Sequence, residues 1–220
     1  MNKNNKTLSD ALRYMGVKTN PPPELLTQVA AALDEIKAAA RPCNVQREFE
    51  AQPCSNGLHI LGTSLVLPGE DIKNFVFDKN KCKALQNTDS NTPKSSTKIK
   101  IFAATLGAGV DMLLTRTAAL DAAQALVLDA CATALIEEYC DTIAPLRFSP
   151  GYGDLPIETQ PEILNVLNAG RAIGLSCTQN FIMIPRKSVS AIALADTSCG
   201  ESLPNKCASC TFEGCISKLC

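Results

Sequence analysis

Arg147-Phe148-Ser149-Pro150-Gly151-Tyr152-Gly153-Asp154-Leu155-Pro156-Ile157-Glu158-Thr159-Gln160 is the stretch around which the rest of the chain arranges itself. Pro150 and Pro156 fix φ and lack an N–H, while Gly151 and Gly153 permit φ > 0, so the residues spell a shaped turn between two helical segments. Pro150 disfavours helical geometry at Ser149, which frees neighbouring backbone groups to face a ligand. The guanidinium of Arg147 is a planar fork that matches a carboxylate, and Tyr152 can cover a flat or cationic group. Without a ligand, Arg147 has a plainer use, capping the C-terminus of the helix before it.

On the N-terminal side, residues 110–140 hold no proline or glycine and are dominated by Ala and Leu. This predicts a long buried central helix, launched by Gly107-Ala108-Gly109, with Asp111 in its first turn and a break near 115–117. Before it, Lys98 to Thr105 alternates as a strand, with Ile99, Ile101 and Ala103 on one face. On the C-terminal side, Gln160-Pro161 starts a helix that ends near Gly170 to Gly174. Phe181 to Ile184 and Ser188 to Ala195 read as a strand pair across Pro185-Arg186-Lys187. A strand through Ser188 and Ser190 puts both hydroxyls on one face, to line a pocket or bond a neighbouring strand.

Further out, residues 8–16 form a short helix, Asn20-Pro21-Pro22-Pro23 an extended linker, and 24–40 an amphipathic helix with Leu25, Val29, Leu33 and Ile36 inward. Strands come next at 45–50 and 58–67, then short helices at 68–75 and 79–86. Residues 87–98 are uniformly polar and read as an exposed loop. Strands and helices come in blocks rather than βαβ units, so the fold class is α+β, an antiparallel sheet flanked by helices. The expected organisation is an N-terminal segment 1–97 of the same domain, a core 98–196 and a cysteine-rich tail 197–220.

The 220 residues are 45% apolar, enough for a core, and 21 basic side chains against 22 acidic leave no excess for gripping phosphates or an anionic membrane. Nucleic acid and membrane are therefore excluded as partners. The first ten residues have no apolar stretch of the kind that directs export, so a cytoplasmic location is expected. The lone His59 at a strand edge has no partner residues arranged around it and receives no role.

Arg147 to Pro156, the later Ile184-Pro185-Arg186-Lys187-Ser188-Val189-Ser190-Ala191-Ile192, Ala103 to Gly107 with Asp111, and the acidic helix end 129–138 together resemble the activation domain of cobalamin-dependent methionine synthase. The free-standing proteins of that family are the nearer likeness, which spans most of 98–195. The resemblance implies a methionine synthase activation-domain-like fold and S-adenosylmethionine held by the Arg147, Phe148, Ser149, Gly151 and Tyr152 loop. Arg147 would take its carboxylate, backbone at Phe148 and Ser149 its adenine or amino groups, and Glu137, with Glu138 almost as good a candidate, its ammonium. Ser188 and Ser190 would line the same site. The chain departs from the family after Ser190, where Ala191-Ile192-Ala193 stands in place of a glycine and aromatics, so that strand supplies no stacking ring.

The function that the resemblance implies is that of an accessory protein in methionine biosynthesis. It would reactivate cobalamin carried by a partner, methionine synthase or a corrinoid methyltransferase, with S-adenosylmethionine as methyl donor and a flavodoxin or ferredoxin as electron donor. The eleven cysteines add a second signal. Cys199, Cys207, Cys210, Cys215 and Cys220 are spaced C-x7-C-x2-C-x4-C-x4-C, and thiolates so placed suit zinc or an iron–sulfur cluster alike, with free thiols the plainer reading. The alternative function is then a metal-stapled binding or electron-transfer module that docks on a corrinoid protein. Cys131, Cys140 and Cys177 lie in apolar stretches and are expected to be buried.

Overall fold

The computed structural model describes residues 3–17, 19–77 and 96–195. Helices α1 (Lys3–Tyr14) and α2 (Pro23–Ala39) come first, and strands β1 (Cys43–Cys54), β2 (Gly57–Ile60) and β3 (Val66–Pro68) come after them. After α3 (Glu70–Phe77) and β4 (Thr97–Thr105) stand α4 (Ala108–Leu120) and α5 (Ala122–Ile143). The chain closes with α6 (Gln160–Leu167), α7 (Ala169–Ile173), the short strands β5 (Ser176–Cys177) and β6 (Met183–Ile184), and β7 (Ser188–Leu194). β3-β2-β1-β4-β7 form a five-stranded sheet in which every pairing is antiparallel. The expected α+β class, an antiparallel sheet flanked by helices, is the fold of this protein.

Two apolar cores lie on opposite faces of the sheet. In α2, Val29, Ala32, Leu33 and Ile36 recur at helical spacing and are buried, which turns one stripe toward α5 and toward Phe102 and Ala104 of β4. The second core takes Ile99, Ile101 and Ala103 from the opposite side of β4 and packs them under α3, α6 and α7. The alternation of β4 therefore feeds both cores: each neighbouring residue from Ile101 to Thr105 faces the other way, and all are buried.

Four sequence expectations are corrected. The long apolar run is two helices that part at Asp121 rather than near 115–117, because the Asp121 carboxylate accepts from the Ala123 and Gln124 amides and caps α5. Nor is the run buried all round: Met112, Leu120 and Leu126 are 72%, 83% and 64% exposed. The segment 58–67 is two strands, reversed by a turn in which Gly62 adopts φ 80° and Thr63 Oγ1 donates to the Ile60 carbonyl. Met183–Ile184 does not pair with Ser188–Leu194, for it pairs with Ser176–Cys177 while β7 runs along β4. Between them the Arg186 amide donates to Asp111 and the Ser188 hydroxyl to the Pro185 carbonyl, so the connection is a crossing from one sheet to the other.

Cys131 and Cys140 are buried as expected, whereas Cys177 is half-buried, with the amide of Gln160 at 3.6 Å from its sulfur. The helix expected at 79–86, most of the polar loop and the tail 197–220 with Cys199, Cys207, Cys210, Cys215 and Cys220 lie outside the described residues. No helix among the described residues is long and apolar enough to cross a membrane.

Candidate functional site

The turn after α5 is built as its sequence dictates. Tyr152 N donates to Ser149 O at 3.1 Å, with Pro150 second and Gly151 third at φ 86°, the pattern of a type II turn. Gly151 N then donates to Leu155 O and Leu155 N to Tyr152 O, which closes the loop on itself. Two outward attachments hold it. Upstream, Phe148 and Ile192 of β7 exchange both backbone hydrogen bonds at 2.8 Å. Downstream, the Asp154 carboxylate accepts from the Glu70 and Asp71 amides at 2.7 and 3.1 Å and so caps α3, while the Asp154 amide donates back to Asp71 at 3.2 Å.

Among the described residues, that single bridge is the whole of the ladder between the turn and β7. The next pair in its register would be Pro150 with Ser190, but Pro150 has no N–H to give and the ladder stops. Backbone groups on one edge of a strand repeat every second residue. The outward N–H and C=O of Ser190 and Ser188 therefore continue the edge that Ile192 uses for Phe148. Ser190 is 2% exposed, and its hydroxyl has no hydrogen-bond partner among the described residues. Tyr152, 57% exposed, stands edge-on to Phe148 at 6.3 Å, and Phe148 in turn packs on Phe75 at 5.5 Å.

Arg147 lies on the helix side of this edge. Its Nη1 donates to Asp141 at 2.8 Å and to the Ala144 carbonyl at 3.0 Å, and its Nη2 pairs with Glu137. The helix-capping use of Arg147 is thus present, since Ala144 is the C-cap of α5. The side chain is only 7% exposed, against 32% for Glu137 and 21% for Asp141. Burial works to lower the guanidinium pKa, but Glu137 and the bond to Asp141 outweigh it, and the group is held above its ordinary value. Glu138 faces elsewhere and accepts from the Thr7 hydroxyl at 2.6 Å. Of the two neighbouring acids, Glu137 is the one at Arg147.

All eight candidate ligand residues fall on one border of the sheet. Arg147 touches Glu137, Phe148 to Tyr152 form the turn, and Ser188 and Ser190 lie on the strand that the turn pairs with. Three neighbours escape a reading of the sequence. Asp141 stands one helical turn beyond Glu137, a spacing that puts both acids on the face Arg147 meets. Lys6 and Tyr14 come from α1: Lys6 Nζ donates to Asp141 at 2.9 Å, and burial together with Glu137 pushes the Tyr14 phenol up to about 12. Nothing in the sequence announces a contact across so long a separation. Asp111, part of the resemblance, accepts from the Arg186 amide at 2.7 Å, and its other oxygen is buried without a partner among the described residues.

A separate open groove of about 680 Å³ runs along α4 and is lined by Ala39, Gly109, Asp111, Met112, Leu113, Thr115 and Arg116, none of them at the Arg147 turn. No group of three or more His, Cys, Asp or Glu side chains among the described residues is placed to hold a metal ion.

No protein-family model matches this sequence, and no curated protein matches it. Among solved structures, the chain is similar to the crystal structure of the MetH reactivation domain bound to AdoHcy, with a TM-score of 0.58 at 15% identity over 89% of this chain and 77% of that one. The fold is therefore that of the MetH reactivation domain.

Proposed function

We propose that this chain binds S-adenosylmethionine along the Arg147 turn and the adjoining edge of β7, as an accessory in the reductive reactivation of a corrinoid held by a partner protein, methionine synthase or a corrinoid methyltransferase. The observation that carries the reading is the Arg147–Glu137 ion pair beside an unfinished strand edge. The amino-acid end of the ligand is a zwitterion, and a zwitterion can enter an ion pair without leaving any charge unpaired. Its carboxylate would take Arg147 and its ammonium Glu137. The backbone groups of Ser188 and Ser190 and the Ser190 hydroxyl, which has no partner among the described residues, are hydrogen-bonding groups of the kind an adenosine needs. Tyr152 offers the exposed ring.

On the partner, one electron from a flavodoxin- or ferredoxin-type donor and transfer of the sulfonium methyl to the reduced cobalt would complete the reaction and leave S-adenosylhomocysteine. The contribution of this chain is orientation. A turn fixed at both ends and a buried guanidinium hold the methyl donor in one pose, so that little freedom is lost when the partner docks. The MetH reactivation domain carries AdoHcy, which supports a ligand of this class.

The test is calorimetric titration with S-adenosylmethionine and with S-adenosylhomocysteine, then anaerobic mixing with a reductant and a Co(II) corrinoid protein while the cobalt spectrum is recorded. Binding that Arg147→Lys weakens at least tenfold, together with a methyl-dependent spectral change, is expected. Arg147→Lys keeps the charge and removes the fork. Absence of binding by the unaltered protein defeats the proposal.

A further inference from the structure

We propose that Asp141 is the positioning residue of this site: it keeps Arg147 aimed while Glu137 is handed to the ligand, and Lys6 of α1 sets the charge with which it does so. The inference rests on the ligand reading above and names a device that reading lacks. Arg147 divides its work between two nitrogens. Nη1 is committed to the fold, through Asp141 at 2.8 Å and the Ala144 carbonyl at 3.0 Å, whereas Nη2 meets only Glu137 among the described residues. Asp141 divides its oxygens likewise, Oδ1 to Arg147 and Oδ2 to Lys6 at 2.9 Å.

Glu137 is the more exposed of the two acids, at 32% against 21%, and among the described residues no cation from α1 is bound to it. The exchangeable side of the pair is thus Nη2 with Glu137, and the fixed side is Nη1 with Asp141. Charge accounting leads to the same assignment. A zwitterion inserted at Nη2 places its carboxylate on Arg147 and its ammonium on Glu137, so each of the two separated partners keeps an opposite charge beside it. Insertion at Asp141 instead would break its ion pair with Lys6 and its hydrogen bond to the guanidinium. Asp141 touches no ligand in this scheme and acts through Arg147.

The role is read by comparing two ligands, S-adenosylmethionine and its decarboxylated analogue, which lacks the carboxylate but keeps the ammonium, sulfonium and adenosine. Asp141→Asn is expected to weaken S-adenosylmethionine roughly tenfold and to leave the analogue within about twofold of the unaltered protein. A purely structural role for Asp141 predicts equal losses for both ligands, and that result, or no loss for either, overturns the inference. Lys6→Met is the second variant, independent of any folding defect in the first. It removes the Lys6–Asp141 ion pair, which adds net negative charge near the incoming carboxylate, and is expected to weaken S-adenosylmethionine about threefold; an unchanged Kd refutes the part given to Lys6. An unaltered protein that binds S-adenosylmethionine through Arg147 while ignoring Asp141 sinks this inference alone, whereas one that binds neither ligand sinks the proposed function and this inference with it.

Discussion

Replacing Asp154 by alanine tests how the turn is held. The Asp154 carboxylate takes two backbone amides of the first turn of α3, at 2.7 and 3.1 Å, and its loss leaves both to water or to nothing. Removing an N-cap costs about 0.5–2 kcal/mol, and hydrogen bonds to a charged acceptor stand toward the upper end. Two considerations pull the figure down: Asp154 is exposed, and Glu70 and Asp71 place like charges in the same turn. A loss of about 1.5 kcal/mol is therefore expected, or a melting point lower by about 3–6 °C for a chain of this size. Urea unfolding at neutral pH should show the midpoint falling at constant slope, and amide exchange should quicken at Glu70 and Asp71 before it does elsewhere in α3. Because the Asp154 amide donates back to Asp71 at 3.2 Å, the pair should be non-additive by roughly 0.5 kcal/mol or more when both are changed. A loss under about 0.5 kcal/mol, or a strictly additive double variant, would refute the idea that α3 and the turn are one unit.

Two further predictions concern the frame around the site. Burial pushes the Cys131 thiol up to about 11 from an ordinary 9.0, and burial with Glu137 pushes the Tyr14 phenol up to about 12 from 10.0. Both raised values mean that the folded state favours the protonated form, so stability is complete below the ordinary values and is lost as pH climbs. The urea midpoint should hold to about pH 9 and then fall, with Cys131→Ala removing the part between about 9 and 11 and Tyr14→Phe the part between about 10 and 12; a midpoint flat to pH 12 would contradict both. At Gly57, where φ is 156°, an added Cβ would lie 2.0 Å from the Leu67 carbonyl oxygen, in the backbone that pairs β2 with β3. Gly57→Ala should cost about 3 kcal/mol or more by thermal denaturation, against about 1 kcal/mol for Gly16→Ala, which meets only the left-handed backbone and no neighbour within 4 Å.

How much of the fold can be read from the chain depends on the range of the forces involved. The stripe of α2 and the alternation of β4 are local periodicities, and both appear in the structure where their spacing puts them. The break between α4 and α5 is equally local, yet its position is easily misplaced. Thr115 and Thr117, β-branched and poor in helices, compete as breakers with Asp121, whose signal is complete: an aspartate with Gln124 three residues on. The pairing of β7 is a different case. Met183–Ile184 and Ser188–Leu194 look like a hairpin by proximity, but a strand bonds wherever it buries most, and Ile192 and Leu194 complete the core beneath α6 and α7 alongside β4. The Asp154 cap on α3, 83 residues away in sequence, belongs to a class of contact that no local pattern encodes.

The same distinction decides which parts of the Arg147 turn speak for a ligand. Its prolines and glycines do not, for each has a use in the fold. Pro150 and Gly151 make the reversal, and Gly153 passes so close to Asp71 that an added Cβ would lie 2.3 Å from its carboxylate. The helix cap at Ala144 explains one nitrogen of Arg147 and no more. What the fold leaves unexplained is narrower: a second carboxylate on a guanidinium already satisfied by Asp141, a strand edge halted at its first pair, and a buried serine hydroxyl without a partner among the described residues beside that edge. A chain selected for stability alone would gain by closing the edge and filling the serine position with a methyl, since an unsatisfied buried polar group costs about 1–3 kcal/mol. Ser190→Ala should accordingly leave the unliganded protein as stable as before or more so, and weaken only the complex with S-adenosylmethionine. Destabilisation of the unliganded protein would mean that the hydroxyl serves the fold, and the case for a ligand at this edge would then rest on Glu137 and the halted strand edge.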